Sequence, residues 1–237
     1  AALHTLALEK KLTLSEMTIG VVGAGNVGSK VAALCNAIGM SVLVNDPPRQ
    51  RAEGDAGFVS LKEIQENADI ITIHTPLTLD GEDKTFHIVD QSFIDACKDG
   101  VFVINCARGE IFDTSSVVDA LTSGKINEAI VDCWENEPDI DQELLDRTFI
   151  STPHIAGYSR DGKANGTSMS IQAISRKFDL GIDNWQCENV ELPENTCIEI
   201  DGSGKTTQQI IAEAVLFTYP ILKDSNRLKN SILTFEK

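Results

Sequence analysis

Thr18-Ile19-Gly20-Val21-Val22-Gly23-Ala24-Gly25-Asn26-Val27-Gly28-Ser29-Lys30-Val31-Ala32-Ala33-Leu34 is the stretch whose reading decides the fold. Residues 18–23 form a short apolar run, and Lys30-Val31-Ala32-Ala33-Leu34 has helical spacing. Ser41-Val42-Leu43-Val44-Asn45-Asp46 follows as a second strand, so the whole has the ~30-residue length of a βαβ unit. Between the first strand and the helix, Gly23 permits a tight turn. Gly25 lets backbone approach a bound phosphate group, and Gly28 lets the helix pack close to the strand. A G-x-G-x-x-G spacing alone is weak evidence; following a strand, opening a helix and preceding an acidic strand tip, it is a strong signal.

That acidic tip is Asp46. Its carboxylate is placed to accept hydrogen bonds from the hydroxyls of an adenosine ribose, while the helix N-terminus offers amide donors and partial positive charge to a pyrophosphate. The predicted cofactor is therefore a nicotinamide dinucleotide. Arg49 and Arg51 argue for the 2′-phosphorylated form, but a carboxylate at the tip repels that extra phosphate, so NAD is preferred. The plainer reading of Asp46 is a turn residue ahead of Pro47-Pro48.

Working outward, Leu61 to Asn67 reads as a short helix, Ala68 to His74 as a strand and Gln91 to Cys97 as a helix. Val101 to Asn105 is a β-branched and aromatic strand, and Thr114 to Ser123 is a helix that Asp113 or Thr114 caps and Gly124 closes. Glu128 to Asp132 and Phe149 to Thr152 complete six strands. Continuous apolar strands alternating with helices predict an α/β fold, a Rossmann-type doubly wound parallel sheet covered on both faces. From Asp161 to about Gly181 the pattern is helical, through Met169, Ile171, Ile174 and Phe178. Residues 190–193 and 197–200 read as strands and Thr206 to Tyr219 as a helix, so 185–237 is read as part of a smaller α+β module.

Composition narrows the partners. The net charge of −16, from 36 acidic against 20 basic residues, argues against a nucleic-acid partner, which needs a basic face. No segment reaches the ~18 apolar residues of a membrane helix. Six cysteines (Cys35, Cys97, Cys106, Cys133, Cys187, Cys197) contain no C-x-x-C pair, which fits reduced thiols in a cytoplasmic protein. Cys106 reads as a small core residue, not a nucleophile. No His/Cys/carboxylate cluster has metal-ligand spacing, so no metal is predicted.

Ligands of open α/β sheets bind at the carboxyl ends of the strands. Those ends here read His74-Thr75-Pro76, Asn105-Cys106-Ala107-Arg108-Gly109, Asp132-Cys133-Trp134-Glu135-Asn136-Glu137-Pro138 and Thr152-Pro153-His154-Ile155-Ala156-Gly157-Tyr158. Arg108 offers a planar fork to a carboxylate. His154, with a reference pKa of ~6.5, can accept and return a proton near neutrality. Taken singly, Arg108 is also a surface charge, Glu137 a cap beside Pro138 and His154 a core histidine. Together, at successive strand tips beside a dinucleotide fingerprint, they point to catalysis. His74 and His87 are read as structural.

The order of these motifs resembles the D-isomer-specific 2-hydroxyacid dehydrogenase family over roughly residues 1–180. Narrower markers are Asp46-Pro47-Pro48-Arg49, Asp80-Gly81-Glu82-Asp83-Lys84-Thr85-Phe86-His87, and His154-Ile155-Ala156-Gly157-Tyr158 followed by Gly162-Lys163. The resemblance implies an NAD-dependent oxidoreductase acting on a small phosphorylated 2-hydroxy acid, with Arg108, Glu137 and His154 catalytic. Glu137 is preferred over Glu135 as the imidazole's partner because the family pattern selects the residue before Pro138. It further implies that Gly23, Gly25, Asn26, Val27, Gly28, Asp46, Thr75, Cys106, Ala107, Arg108, Asp132 and Gly157 line the cofactor. Asp132 would meet the nicotinamide amide and Tyr158 the substrate, with Lys163 and Arg160 as candidates for the substrate phosphate.

The implied organisation is the end of a connecting helix at 1–11, an NAD-binding domain at 12–184 and part of a C-terminal dimerisation domain at 185–237. The family's N-terminal substrate-binding domain would precede this chain. The implied whole enzyme is a homodimer, and this chain is expected to bind NAD but turn over poorly. Two other readings stay open: a different 2-hydroxyacid dehydrogenase, such as one acting on phosphoglycerate, and a non-enzymatic NAD-sensing module.

Overall fold

The computed structural model describes residues 1–54, 57–191, 193 and 195–232. In chain order the elements are α1 (Ala2–Glu9), β1 (Thr18–Val22), α2 (Gly28–Ala37), β2 (Ser41–Asn45), α3 (Pro47–Glu53), α4 (Leu61–Asn67), β3 (Ile70–Ile73) and α5 (Gln91–Ala96). They continue with β4 (Val101–Asn105), α6 (Thr114–Ser123), β5 (Ile126–Val131), α7 (Gln142–Arg147), β6 (Ile150–Ser151), α8 (Arg160–Phe178), α9 (Thr207–Thr218) and α10 (Leu222–Ile232). The expected strands and helices of residues 18–152 are all present, with strand ends shifted by one or two residues, β5 starting two residues earlier than expected and others trimmed. Gly124 closes α6 in the left-handed conformation at φ 80°. Helices α3 and α7 were not anticipated; each is short and begins at an aspartate, Asp46 or Asp141, whose carboxylate accepts a backbone N–H.

Contacts divide the chain into two compact units, 1–153 with 202–237, and 154–201. In the first, the six strands form one parallel sheet in the order β2-β1-β3-β4-β5-β6. Period-two alternation sends neighbouring side chains to opposite faces. Val101 and Val103 join one core with Ile64, Phe93, Ile94, Val117 and Leu144, whereas Phe102 and Ile104 join another with Leu6, Leu14, Cys35 and Ile221. Helices thus cover both faces, which is the doubly wound arrangement predicted.

The expected boundary at residue 184 is not where the units divide. Residues 202–237 cluster with the sheet: Gln208 exchanges hydrogen bonds with Leu12 O and Leu14 N at 2.8 Å each, and α10 lies on β6. The physical reason is the sheet edge. β6 would leave backbone groups without partners, and Ser225 Oγ accepts the Ser151 N–H at 3.0 Å while Lys229 Nζ donates to Thr148 O.

In the second unit α8 forms as expected, but its apolar residues do not make the core. Met169 is 67% exposed and Phe178 68% exposed, and it is Ser168 and Ser175 that are buried. Their hydroxyls hold the returning segment, Ser168 Oγ accepting Cys187 N at 2.8 Å and Ser175 Oγ accepting Ile182 N at 3.0 Å. Cys197–Ile200 is irregular and not the expected strand. The expected strand at 190–193 includes Leu192, which lies outside the described residues.

Candidate functional site

Strand register aligns the site. Val22, Asn45, Ile73, Asn105, Val131 and Ser151 are paired across the sheet, so their successors Gly23, Asp46, His74, Cys106, Asp132 and Thr152 form one edge. The ladder continues one bond beyond the strands, with Gly23 N donating to Asn45 O (2.7 Å) and His74 N to Val22 O (2.7 Å). Likewise Asp132 N donates to Asn105 O (2.9 Å) and Thr152 N to Val131 O (2.9 Å). The chain runs from β1 to β2 on one side and then to β3 on the other, so β1 and β3 meet at the topological switch point where such sheets bind ligands.

A cleft of about 550 Å³ opens at that point, lined by Gly23, Gly25, Asp46, Thr75, Pro76 and the 82–85 loop, among others. Gly23 has φ 87°, and a Cβ there would lie 2.8 Å from the His74 carbonyl carbon. A Cβ on Gly28 would lie 1.9 Å from Gly23 O, so α2 can approach the turn only without a side chain there. Gly25 differs: a Cβ would meet nothing within 4 Å. No packing among the described residues calls for glycine at that position, whereas close approach of an outside group to the backbone would. The N–H groups of Asn26, Val27 and Gly28 have no hydrogen-bond partner among the described residues, and Val27 supplies no side-chain cap to α2. Open space, unpaired donors and a helix N-terminus fit a dinucleotide pyrophosphate.

Asp46 does two things at once. Its Oδ2 accepts Ala24 N at 2.7 Å, bracing the glycine turn, and its Oδ1 accepts Arg49 N at 3.0 Å, capping α3. The turn-residue reading and the cleft-lining reading therefore coexist, since each carboxylate oxygen retains a lone pair. The two nearby arginines are committed elsewhere. Arg49 forms a fork on Glu53 (2.7 and 2.6 Å) and donates to Ala24 O (2.6 Å), while Arg51 pairs with Asp83 and with Glu82. Four carboxylates thus surround the end where a 2′-phosphate would sit, which suits NAD.

Thr75 Oγ1 and His74 Nδ1 are buried without a partner among the described residues. His74 Nε2 is 3.0 Å from Thr72 Oγ1, and burial pushes its imidazole below its ordinary pKa.

At the β4 and β5 ends, Asn105 organises the backbone, a role the sequence reading did not assign. Fully buried, its Oδ1 accepts Ala107 N at 3.1 Å and its Nδ2 donates to Arg108 O at 2.9 Å and Cys133 O at 3.4 Å. Its position, closing a buried strand as the lone polar residue, was the available signal. The exposed Arg108 donates from Nη1 to Ala107 O at 2.6 Å, the only hydrogen bond of its guanidinium among the described residues. Burial pushes the Cys106 thiol up to about 12, with the Asp132 charge adding to the effect, so it is no nucleophile at neutral pH. Asp132 is buried and its Oδ1 accepts the Thr152 hydroxyl at 2.6 Å.

The turn after β5 is held from within and without. Glu137 Oε1 accepts Trp134 N at 2.6 Å, and the buried Trp134 indole donates to Thr152 O at 2.8 Å. Glu135 is taken by His87, whose Nε2 lies 2.6 Å from its Oε1. His154, Gly157 and Tyr158 belong to the second unit. There His154 is exposed with left-handed φ 54°, and Tyr158 N donates to Ile155 O at 2.8 Å. The Lys163 ammonium sits 3.4 Å from the Tyr158 ring centre and lowers that phenol's pKa, while Arg160 pairs with Glu191. The first unit therefore gathers the glycine turn, Asp46, Thr75, Cys106, Ala107, Arg108, Asp132 and Glu137 along one sheet edge. No cluster of metal-ligating side chains and no helix long and apolar enough to cross a membrane occurs among the described residues.

Residues 5–156 match the family described as D-isomer specific 2-hydroxyacid dehydrogenase, NAD binding domain. Erythronate-4-phosphate dehydrogenase of Bacteroides fragilis is 43% identical over 237 residues, covering 100% of this chain and 65% of that protein. The Escherichia coli O81 protein of the same name is 37% identical over 229 residues, 97% of this chain and 60% of that one. This chain thus spans less than two thirds of their length.

Among solved structures, D-lactate dehydrogenase from Aquifex aeolicus, complexed with NAD and lactic acid, is 25% identical. It superposes with TM-score 0.57, covering 79% of this chain and 65% of that one. The NAD-complexed D-isomer specific 2-hydroxyacid dehydrogenase of Lactobacillus delbrueckii ssp. bulgaricus is also 25% identical, with TM-score 0.59 over 70% of this chain and 54% of that one. With its glycine turn, strand-tip carboxylate and sheet order, the chain belongs to the D-isomer specific 2-hydroxyacid dehydrogenase family and contains that family's NAD-binding domain.

Proposed function

We propose that this chain carries the NAD site and the chemical residues of an erythronate-4-phosphate dehydrogenase, oxidising 4-phospho-D-erythronate to 2-oxo-3-hydroxy-4-phosphobutanoate in pyridoxal phosphate formation. The observation that carries the substrate assignment is the 43% identity, over the whole chain, to the Bacteroides fragilis enzyme of that name. Nicotinamide, when bound, supplies the two-electron hydride acceptor. The Gly23–Gly28 turn would hold the pyrophosphate, Asp46 the ribose and Asp132 the carboxamide.

The remaining work falls to side chains. The Arg108 guanidinium binds the substrate carboxylate and polarises the oxygen on C2 as it becomes a carbonyl. His154 removes the proton from the C2 hydroxyl as hydrogen leaves carbon with its electron pair. Glu137 favours the protonated imidazole, since a neighbouring carboxylate stabilises the cation. That Glu135 is already engaged by His87 supports Glu137 for this role. Cys106, Ala107, Thr75 and Gly157 complete the cofactor lining, and Tyr158 contacts the substrate. Six free thiols and a net charge of −16 support a cytoplasmic enzyme that takes a small molecule and not nucleic acid or membrane. A homodimer is the proposed working form.

The test is a full-length enzyme assayed on a panel of 2-hydroxy acids, wild type beside His154→Asn. Turnover of 4-phosphoerythronate should fall on the order of 10²–10⁴-fold in the variant while NAD affinity is spared. Preferred turnover of phosphoglycerate would reassign the substrate. Equal loss of turnover and NAD affinity would favour a sensor or structural role for His154.

A further inference from the structure

His87 and Glu135 form a titratable cluster to which the proposed chemistry gives no task. The side chains are largely sheltered, 30% and 18% exposed, and meet at 2.6 Å. The second oxygen of Glu135 accepts Thr114 N at 3.3 Å. Burial alone would raise the Glu135 carboxyl, and hydrogen bonds from Thr114 and His87 outweigh it, holding the group below its usual range. His87 is itself tightly held. Its ring stacks on Phe86 at 3.9 Å between centres, its N–H donates to Glu110 O at 2.8 Å, and its backbone is left-handed at φ 50°. A non-glycine residue keeps that conformation only where its surroundings over-determine it, and such positions gather at functional sites.

Three connections meet here, and each leads directly to a proposed working residue. His87 lies on the β3–α5 connection, whose residues 82–85 and Ile88 line the nucleotide cleft. Glu110 is two residues beyond Arg108, and Glu135 is two residues before Glu137. The second and third connections touch backbone to backbone. A Cβ on Gly109 would lie 1.9 Å from Trp134 O and 2.4 Å from Glu135 N. The first and second connections are also tied through backbone, by Val89 N to Ile111 O at 3.1 Å and Asp113 N to Val89 O at 3.0 Å, so the tie left to side chains is the one from the first connection to the third. Other charged groups near the pair are Asp113, whose carboxyl feels His87, and Lys84, which lies over the Phe86 ring.

We infer that His87 and Glu135 are a positioning pair for the dehydrogenase chemistry. Their contact joins the three connections and fixes the backbone on which Arg108 and Glu137 stand, without either side chain touching substrate. The inference rests on the reading under Proposed function for its chemical consequence, but its structural core does not need that reading. Misplacing a reacting group by about 1 Å can cost on the order of 10²-fold in rate.

Two measurements test it. In the first, amide hydrogen exchange is compared between this chain and its His87→Ala variant. Faster exchange at 108–113 and 134–137 is expected, with the glycine turn at 23–28 unchanged; no change at those two segments overturns the inference. In the second, the full-length enzyme is assayed with NAD and 4-phosphoerythronate. His87→Ala should lower kcat by roughly 10–100-fold with NAD affinity within about threefold of wild type. His87→Gln, which retains an N–H donor for Glu135, should recover most of the loss. Glu135→Ala should add little to His87→Ala, because the two act as one contact. Unaltered kcat in His87→Ala, or fully additive losses, refutes positioning. Inactive wild type with the exchange result intact instead refutes the substrate reading alone.

Discussion

The glycine turn and the corner beyond β4 and β5 sit on the same sheet edge, yet they are built by opposite means. The turn is local: Gly23, Ala24, Gly25, Gly28, Asp46 and Arg49 hold one another within a single βαβ unit. The corner is assembled from distant segments: Asn105 reaches Cys133, Trp134 reaches Thr152, and His87 reaches Glu135. Binding a constant ligand, a dinucleotide, needs only a backbone shape that short-range sequence can specify. Chemistry on a variable substrate needs side chains from several strand ends, and each must be held by something far away in the chain.

The difference can be broken at its most loaded point. Asn105→Ala should strip the side-chain partner from Ala107 N and Cys133 O, while Arg108 O keeps Ile111 N at 3.2 Å, costing about 1–3 kcal/mol for each group left buried and unpaired. Urea unfolding of the chain reads this directly; a loss under about 0.5 kcal/mol would mean that the corner is not held from Asn105.

On the other side, two glycines of one fingerprint should behave differently. Gly28→Ala places a methyl against Gly23 O and should lower stability by roughly 1–3 kcal/mol. Gly25→Ala meets nothing within 4 Å, so stability should stay within about 0.5 kcal/mol while NAD affinity falls about tenfold. Equal effects of the two on unfolding, or full NAD affinity in Gly25→Ala, would contradict the separate reasons given for them.

The smallest effect expected is a pH dependence at the switch point. Because burial lowers the His74 pKa, the folded chain takes up this proton less readily than the unfolded chain. The unfolded state therefore binds more protons below its ordinary value of about 6.5, and His74's contribution is present above that pH and lost as pH falls through it. His74→Gln should soften the fall in Tm between pH 7 and 5. An unchanged slope would show that His74 does not carry it.

Much of the fold was legible because strands buried on both faces write themselves as continuous apolar runs, as in Val101–Asn105. Gly124 announces the end of α6, the helix between two of them. α3 and α7 were not legible: α3 buries no residue and α7 only the adjacent Leu144 and Leu145, so neither writes an apolar stripe at helical spacing. For α8 the helix was read correctly and its buried face was not: small serines that bond the returning segment 182–187 displaced the apolar stripe.

Within the site, the same division holds. Residue type, spacing and order along the chain, with the family resemblance for Glu137, sufficed to nominate a phosphate turn, a ribose carboxylate and the candidates Arg108, Glu137 and His154, because chemistry restricts which side chains can do those tasks. Only tertiary structure decided that Asp46 also caps a helix, that both arginines are spent on carboxylates, and that Glu135 answers to His87. Two of those outcomes join residues far apart in the chain, 32 positions for Arg51 and Asp83 and 48 for His87 and Glu135, while the Asp46 cap and the Arg49–Glu53 fork form only once α3 does. Short-range pattern carries no information about such pairings, and the packing of the sheet and its connections selects among them.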